Sequence, residues 1–507
     1  MNRHPTVRLP GLALVALALL ARPAAATWSI IVIDLRTKEI AIGSATCVPY
    51  YDLRQLASVV VVGVGAAAAQ SYVDNSGQNR LLIRDQLRLG TSPDQILVQL
   101  AARDPGHQTR QYGIVDTQGR ALGFTGTSCG AYANHVVGRA GDLVWAIQGN
   151  VITGLPVLQA AEYAVANVQG DLATKLMAAM QAARYFGGDG RCSCPQSTPP
   201  GCGSPPPSFT ITANIGYMIV ARQGDTDGGC DAGNGCATGV YYMRLDVANQ
   251  PPTAPDAVVQ LQQLYDQWRA TLNGRTDHHL STVTLGAPSL PADGMARTTA
   301  TVTLRDWRGQ QLAAGGATVQ VSLEAGGPPV TVGPVTDAGN GTYTFPVTAG
   351  TAPGTALLRI QVNDGQRTIL LSPRTPVKLD SFWASRATLP GGAGGTVDFT
   401  LNAGAGFAGR GYLALASASG SVPGIPGPGF TVPLNPDALF FVSYAIRNSA
   451  ILQMTEGTLD GSGRAAARLV APAGLLLPFA NQTLTFAFAA LNPLGFASNP
   501  VAMGVTP

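Results

Sequence analysis

A run of small residues, Ala24-Ala25-Ala26, passes directly into Thr27-Trp28-Ser29-Ile30-Ile31-Val32-Ile33-Asp34, and no other stretch constrains the chain as tightly. Upstream, Arg3 and Arg8 make a positive start, Gly11 to Ala21 is apolar, and Ala24-x-Ala26 is a small-residue cleavage site. Residues 1–26 therefore read as an export signal, too short in its apolar part to span a bilayer in the usual way. Downstream, the nearly unbroken apolar run predicts a strand covered on both faces, because a half-exposed strand alternates. Cleavage after Ala26 leaves Thr27 with a free α-amine beside its own hydroxyl. A hydroxyl needs a base to become a nucleophile, and an α-amine with a reference pKa of about 7.7–8.0 is such a base.

The strand implies a hairpin. Ser29 to Ile33 and Ile40 to Thr46 are strand-like, with the turn at Asp34 to Lys38. If Asp34 faces Glu39, Thr27 falls opposite Thr46, with Ser44 on the diagonal. A third strand is expected at Ser58 to Val64, running into Gly65-Ala66-Ala67-Ala68-Ala69-Gln70. Helices follow at Gln78 to Leu89 and Gln95 to Arg103, the second capped by Ser92-Pro93-Asp94. Short strands are expected at Tyr112 to Asp116, Ala121 to Phe124 and Leu143 to Ile147. A second helix pair is expected at Leu155 to Val168 and Leu172 to Phe186. Strands at Phe209 to Ala221 and Val240 to Val247 and a helix from Asp256 to Leu272 close this part, an α+β arrangement of packed sheets with helices outside.

Only 12% of the residues are charged and the net charge is +3, which leaves no electrostatic footprint for nucleic acid. No phosphate loop, paired-histidine metal signature or other cofactor motif is present, so no cofactor and no metal are expected. After residues 1–26 no segment is long and apolar enough for a membrane span, and export places the seven cysteines in an oxidising compartment. Cys192, Cys194 and Cys202 lie in a Pro/Gly-rich stretch that reads as a surface loop held by a disulfide. Zinc is the alternative there, disfavoured by the spacing and the lack of a nearby histidine. Asp225 to Cys236 offers oxygen ligands for calcium, but a Gly/Asp turn closed by Cys230 and Cys236 is preferred. With an odd number of thiols, at least one stays free or bonds to another molecule.

Past Arg275 the composition changes to alternating β-formers broken by Gly and Pro, exemplified by Ala300 to Asp306 and Gly339 to Phe345. Two β-sandwiches are expected, at 281–379 and 380–507, after a first domain at 27–275.

Several motifs together, Thr27 to Asp34, Gly123-Phe124-Thr125-Gly126 with Cys129 and His135, Gln148-Gly149-Asn150, Gly187 to Arg191 and the helix from Asp256 to Trp268, resemble the bacterial domain of unknown function 1028 family. The resemblance runs from Thr27 to about Arg275. It implies a four-layer αββα fold of the N-terminal-nucleophile (Ntn) hydrolase type, whose members use a mature N-terminal Thr, Ser or Cys. Residues 281–379 are similar in pattern to bacterial Ig-like modules of the invasin type. Proteasome-type relatives support their threonine with an aspartate and a lysine. Here Ser44 or a neighbour stands at the first position, and no lysine lies between Lys38 and Lys175.

The expected function is a secreted hydrolase of amide or related acyl bonds. Thr27 is its nucleophile and base, and Asn150 or the amides near Gly149 stabilise the oxyanion. Ser44, Thr46, His135, Asp189 and Arg191 are supporting or substrate-binding candidates, with an Asp189–Arg191 turn-stabilising ion pair as the alternative. Cys47 is either a rival nucleophile or, as preferred, bonded to Cys129. The alternative function is a non-catalytic extracellular binding or surface protein built on the same scaffold. The expected partners are a small-molecule or peptide substrate, and a surface glycan or protein through the sandwiches. The expected location is secreted, periplasmic or at the cell surface.

Overall fold

The computed structural model describes residues 27–507 apart from 199, 367 and 492; the expected signal at 1–26 lies outside the described residues. The chain divides into two compact units, one ending at Trp268 and the other beginning at Arg269.

The first unit runs β1 (Thr27–Asp34), β2 (Glu39–Thr46), α1 (Leu53–Ala57), β3 (Ser58–Val61), β4 (Gly65–Ser71), α2 (Gln78–Arg88), α3 (Pro93–Arg103), β5 (Arg110–Asp116) and β6 (Ala121–Thr125). It continues β7 (Asn134–Ala140), β8 (Leu143–Asn150), α4 (Leu155–Asn167), α5 (Leu172–Tyr185), α6 (Gly190–Ser193), β9 (Ile215–Ala221) and β10 (Met243–Val247), and its boundary falls within the last turn of α7 (Ala257–Ala270). Six strands form one sheet in the order β10-β9-β2-β1-β8-β7, and four form another in the order β3-β4-β5-β6.

β1 is central and buried from Thr27 to Ile33, as its apolar run requires. Successive side chains point to opposite faces. Ile31 and Ile33 therefore meet Ala66, Ala68 and Val115 of the second sheet in one core. On the other face lies the Ile30–Gly43 pair, and a Cβ at Gly43 would press on Leu176 and Met180 of α5. The second sheet turns Val59, Ala67, Ala69 and Ile114 toward Leu82, Ile83, Ile96 and Leu100 of α2 and α3. Helices thus cover the outer face of each sheet. α3 begins with a capping box between Ser92 and Gln95 and has Pro93 at its start, as the sequence signals predict.

Three expectations need correction. The third strand ends at Val61, and Gly65–Ser71 forms a strand of its own after a turn. Alanine is a poor strand former, but here Ala66 and Ala68 let the two sheets approach closely. Asn134–Ala140 is a further strand, unexpected because it is the polar edge of its sheet. The expected strand from Phe209 begins only at Ile215, after a segment without regular structure.

The second unit contains a small cluster of Leu415, Leu434 and Ala487 and two large apolar cores, each between two sheets. One gathers Ala300, Val302, Phe345, Val347, Leu358 and Ile360. Its sheets include Arg297–Thr303 with Thr342–Thr348, and Gly354–Asn363 with Thr318–Leu323. The other gathers Val397, Phe399, Leu401, Leu469, Phe486 and Phe488. Its sheets include Gly395–Asn402 with Arg464–Ala471, and Gly411–Ser417 with Thr483–Leu491. A helix, α8 (Ala438–Ala445), joins this sandwich. Among the described residues no helix is long and apolar enough to cross a membrane.

Candidate functional site

β1 pairs with β2 on one side and β8 on the other. The register sets Asp34 against Glu39, Ser29 against Ser44 and Trp28 against Ala45, which leaves Thr46 as the next position beside Thr27. On the other side Thr27 lies directly opposite Asn150. The hairpin expected from the sequence therefore places Thr27, Ser44 and Thr46 at one end of the sheet, and the pairing with β8 adds Asn150. In the chain still carrying residues 1–26, Thr27 is 2% exposed and Asn150 fully buried.

Between the sheets, this end of β1 meets a connected set of polar side chains. Ser29 shares its one proton between Ser44 Oγ (2.9 Å) and Gln70 Oε1 (2.5 Å), while Ser44 donates to the Trp28 carbonyl at 2.7 Å. Gln70 Nε2 donates to the Thr27 carbonyl at 2.7 Å and to Gln111 Oε1 at 2.8 Å, with Asn150 Oδ1 at 3.5 Å. Gln111 Nε2 in turn reaches Thr125 Oγ1 (2.9 Å) and the carbonyls of Asn134 and Gly149 (3.0 Å each). Thr125 Oγ1 lies 2.9 Å from His135 Nδ1. Because burial lowers the His135 pKa, the imidazole is neutral near pH 7. The hydroxyl that receives the Gln111 proton is then placed to give its own to Nδ1, which assigns the ring hydrogen to Nε2. These bonds link amides, hydroxyls and one imidazole. Their clearest effect is to hold the Thr27 carbonyl, and with it the start of β1, in one place.

The remaining candidates gather at the end of β2. Asp189 is fully buried and accepts from the Cys47 amide (2.7 Å), the Arg191 amide (3.0 Å) and Arg191 Nη2 (2.8 Å). Arg191 Nη2 lies 3.4 Å from Thr46 Oγ1. Burial pushes the Asp189 carboxyl above its ordinary range, opposed by the Arg191 guanidinium and the two amides. The pair thus fastens the strand end beside Thr27 to the start of α6.

The cysteine pairing differs from expectation. Cys47 is bonded to Cys192, and Cys129 is free. The cause is local: Asp189 holds the Cys47 amide, and the α6 turn beginning beside it delivers Cys192. Cys129 instead sits over the second sheet, its Sγ donating to the Arg110 carbonyl at 3.2 Å, and burial pushes its thiol pKa up. Cys194 pairs with Cys202, so the sulfurs of the zinc alternative are all in disulfides. Cys230 pairs with Cys236, closing a turn in which Asp231 accepts the amides of Gly233 and Asn234. Asp225 and Asp227 are engaged elsewhere, by the amides of Arg222 and Val62. Among the described residues no cluster of His, Cys, Asp or Glu is arranged to hold a metal ion.

Sequence reasoning missed Gln70, Gln111, Ser29 and Thr125. Gln70 carried a signal, a lone amide ending an otherwise apolar small-residue run. Gln111 carried none, since only the sheet-to-sheet packing gives it partners.

The architecture is that of an α+β unit followed by sheet-rich sandwiches. Residues 27–198 match the model of a family of unknown function, DUF1028, and residues 277–373 match Invasin, domain 3. The first match begins at Thr27 and ends within the Cys192–Cys202 stretch, short of the expected Arg275. Among solved structures, a DUF1028 protein from Silicibacter pomeroyi, SPO2555, is 19% identical, covering 48% of this chain and 89% of that chain, with a TM-score of 0.35. The Yersinia pseudotuberculosis adhesin InvE is 20% identical over 45% of this chain and 59% of its own, with a TM-score of 0.19. Invasin, a bacterial integrin-binding protein, is 15% identical over 58% of this chain and 46% of its own, with a TM-score of 0.18. The chain therefore spans less than two thirds of either adhesin. No curated protein matches the chain.

Proposed function

We propose that the protein is exported by cleavage after Ala26 and works outside the cytoplasm as a binding or cell-surface protein. In this reading the unit from Thr27 is an Ntn-hydrolase-like αββα scaffold, followed by two sandwich domains at 281–379 and 380–507 that engage a surface protein or glycan. The observation that carries the reading is the match of residues 277–373 to an invasin domain on a β-sandwich. Three disulfides support an oxidising compartment. The network on the Thr27 carbonyl supports a structural use of that strand end, since it links neutral amides and hydroxyls.

A second reading is favoured by one observation: β1 opens at Thr27, opposite Asn150. There, the Thr27 hydroxyl attacks an acyl carbon, its α-amine takes the proton and returns it to the leaving group, and the Asn150 side chain or Gly149 amide holds the oxyanion. Ser44, Thr46, His135, Asp189 and Arg191 support that site. The two readings separate in one experiment on the exported protein: N-terminal mass spectrometry, then labelling with a threonine-directed β-lactone. The binding reading expects Thr27 as first residue and no labelling. Labelling of the wild type that disappears in Thr27→Ala overturns it in favour of the hydrolase.

A further inference from the structure

The sandwich that contains Phe399 and Phe486 is not fully packed. Across its strand Gly411–Ser417 lies α8, with the sequence ALFFVSYA, and beneath this helix is a cavity of about 250 Å³. Protein interiors leave few voids larger than a water molecule. This one is floored by Ala416, Leu469 and Phe486 and walled by Leu439, Ile446 and Phe479.

Ser443 is the one lining residue with a polar side chain. Its hydroxyl already donates to the Phe440 carbonyl at 2.8 Å and accepts from the Ala416 amide at 3.1 Å. Water needs two to four polar partners, and an apolar cavity of about 150 Å³ stays dry and takes up benzene. The larger space here has the same chemistry. It also has a way in: the lining residues Val442 and Leu475 are 50% and 39% exposed.

We propose that this cavity binds a hydrocarbon chain, the alkyl or acyl tail of an amphiphile whose polar head stays in water at the mouth. A peptide entering the cavity would leave backbone N–H and C=O groups without partners, a cost that a hydrocarbon tail does not meet. The tail gains from burial against aliphatic walls and replaces contacts that the void lacks.

The test is a titration of the full chain with 11-(dansylamino)undecanoic acid, followed by displacement with dodecanoate. The expected result is a saturable blue-shifted emission that dodecanoate reverses. Ala416→Leu, which fills the floor, and Leu475→Trp, which narrows the mouth, each weaken binding by about tenfold or more, as added methylenes do in an apolar pocket. Should Ala416→Leu fail to fold, Leu475→Trp decides, because its site is partly exposed. Sedimentation with phosphatidylcholine vesicles identifies the source of the tail. Pelleting that Leu475→Trp abolishes assigns it to a bilayer lipid, and no pelleting with retained probe binding assigns it to a free amphiphile. Absence of saturable probe binding, or binding unchanged in Leu475→Trp, overturns the proposal.

Discussion

Between its sheets the first unit is apolar around Ile31 and Ile33 but polar at the end that carries Thr27, whereas the sandwich around Phe399 is apolar throughout its core. At the Thr27 end of the first unit, Ser29, Ser44, Gln70 and Gln111 are buried and bonded to one another or to backbone. In the sandwich around Phe399, the corresponding space holds aromatic rings, with Phe399 4.8 Å from Phe486 and 5.4 Å from Phe382, centroid to centroid. A hydrocarbon interior is non-directional and stabilises any arrangement of about the right volume. A hydrogen-bonded interior accepts only the register that completes its bonds, because an unmet buried group costs more than a met one contributes. The polar interior therefore fixes where one strand end sits, and the aromatic interior supplies bulk stability.

The largest loss of stability is expected at the rings. Phe399→Ala is expected to destabilise its sandwich by about 3–5 kcal/mol through lost burial and a residual cavity. Hydrogen-exchange mass spectrometry will show protection lost over Gly395–Asn402 and Thr483–Leu491 and retained over β1. A next, smaller effect comes from Gln70→Leu, which keeps the volume but leaves Ser29, Gln111 and the Thr27 carbonyl short of a partner, at about 2–3 kcal/mol in urea unfolding. Adding Gln111→Leu to it should cost less than the two single losses summed, since the groups share bonds. Strict additivity would mean that the amides do not act together.

The smallest expected effect lies in the first unit, at the Asp104–Arg110 ion pair. Burial pushes the Asp104 carboxyl up, but the Arg110 side chain, the Asn79 amide and the Gly106 N–H outweigh it and hold its pKa at about 2, below the ordinary 3.8. A carboxyl lowered on folding contributes stability above its unfolded pKa, and that contribution is lost as pH falls from 3.8 toward 2. Allowing for solvent screening of the Arg110 pair, about 1 kcal/mol is at stake. The urea midpoint of Asp104→Asn should fall less between pH 5 and pH 2 than that of the wild type.

The β1–β2 register was legible because a polar turn at Asp34 to Lys38 separates two buried runs, and one choice of pairing aligns them. The strand ending the run Gly339 to Phe345 was legible for a similar reason, being rich in strand formers after a glycine turn. The alanine strand β4 was not, since its residues are chosen for closeness to the other sheet rather than for local preference. α8 was hidden too, as eight residues of a β-type composition whose helical form depends on the Asp437 cap and on the sandwich beneath. At the candidate site, the hairpin register placed Thr27 beside Thr46 and Ser44, but the pairing of Thr27 with Asn150, the bonds of Gln111 and the Cys47–Cys192 bond depend on segments far apart in sequence.

That last bond spans 145 positions of the chain. A protease cutting anywhere between its two ends leaves both pieces covalently joined, with the residues beside Thr27 still tied to those following α5. Clipping of an external loop would go unseen on a non-reducing gel and become visible only once a thiol is added.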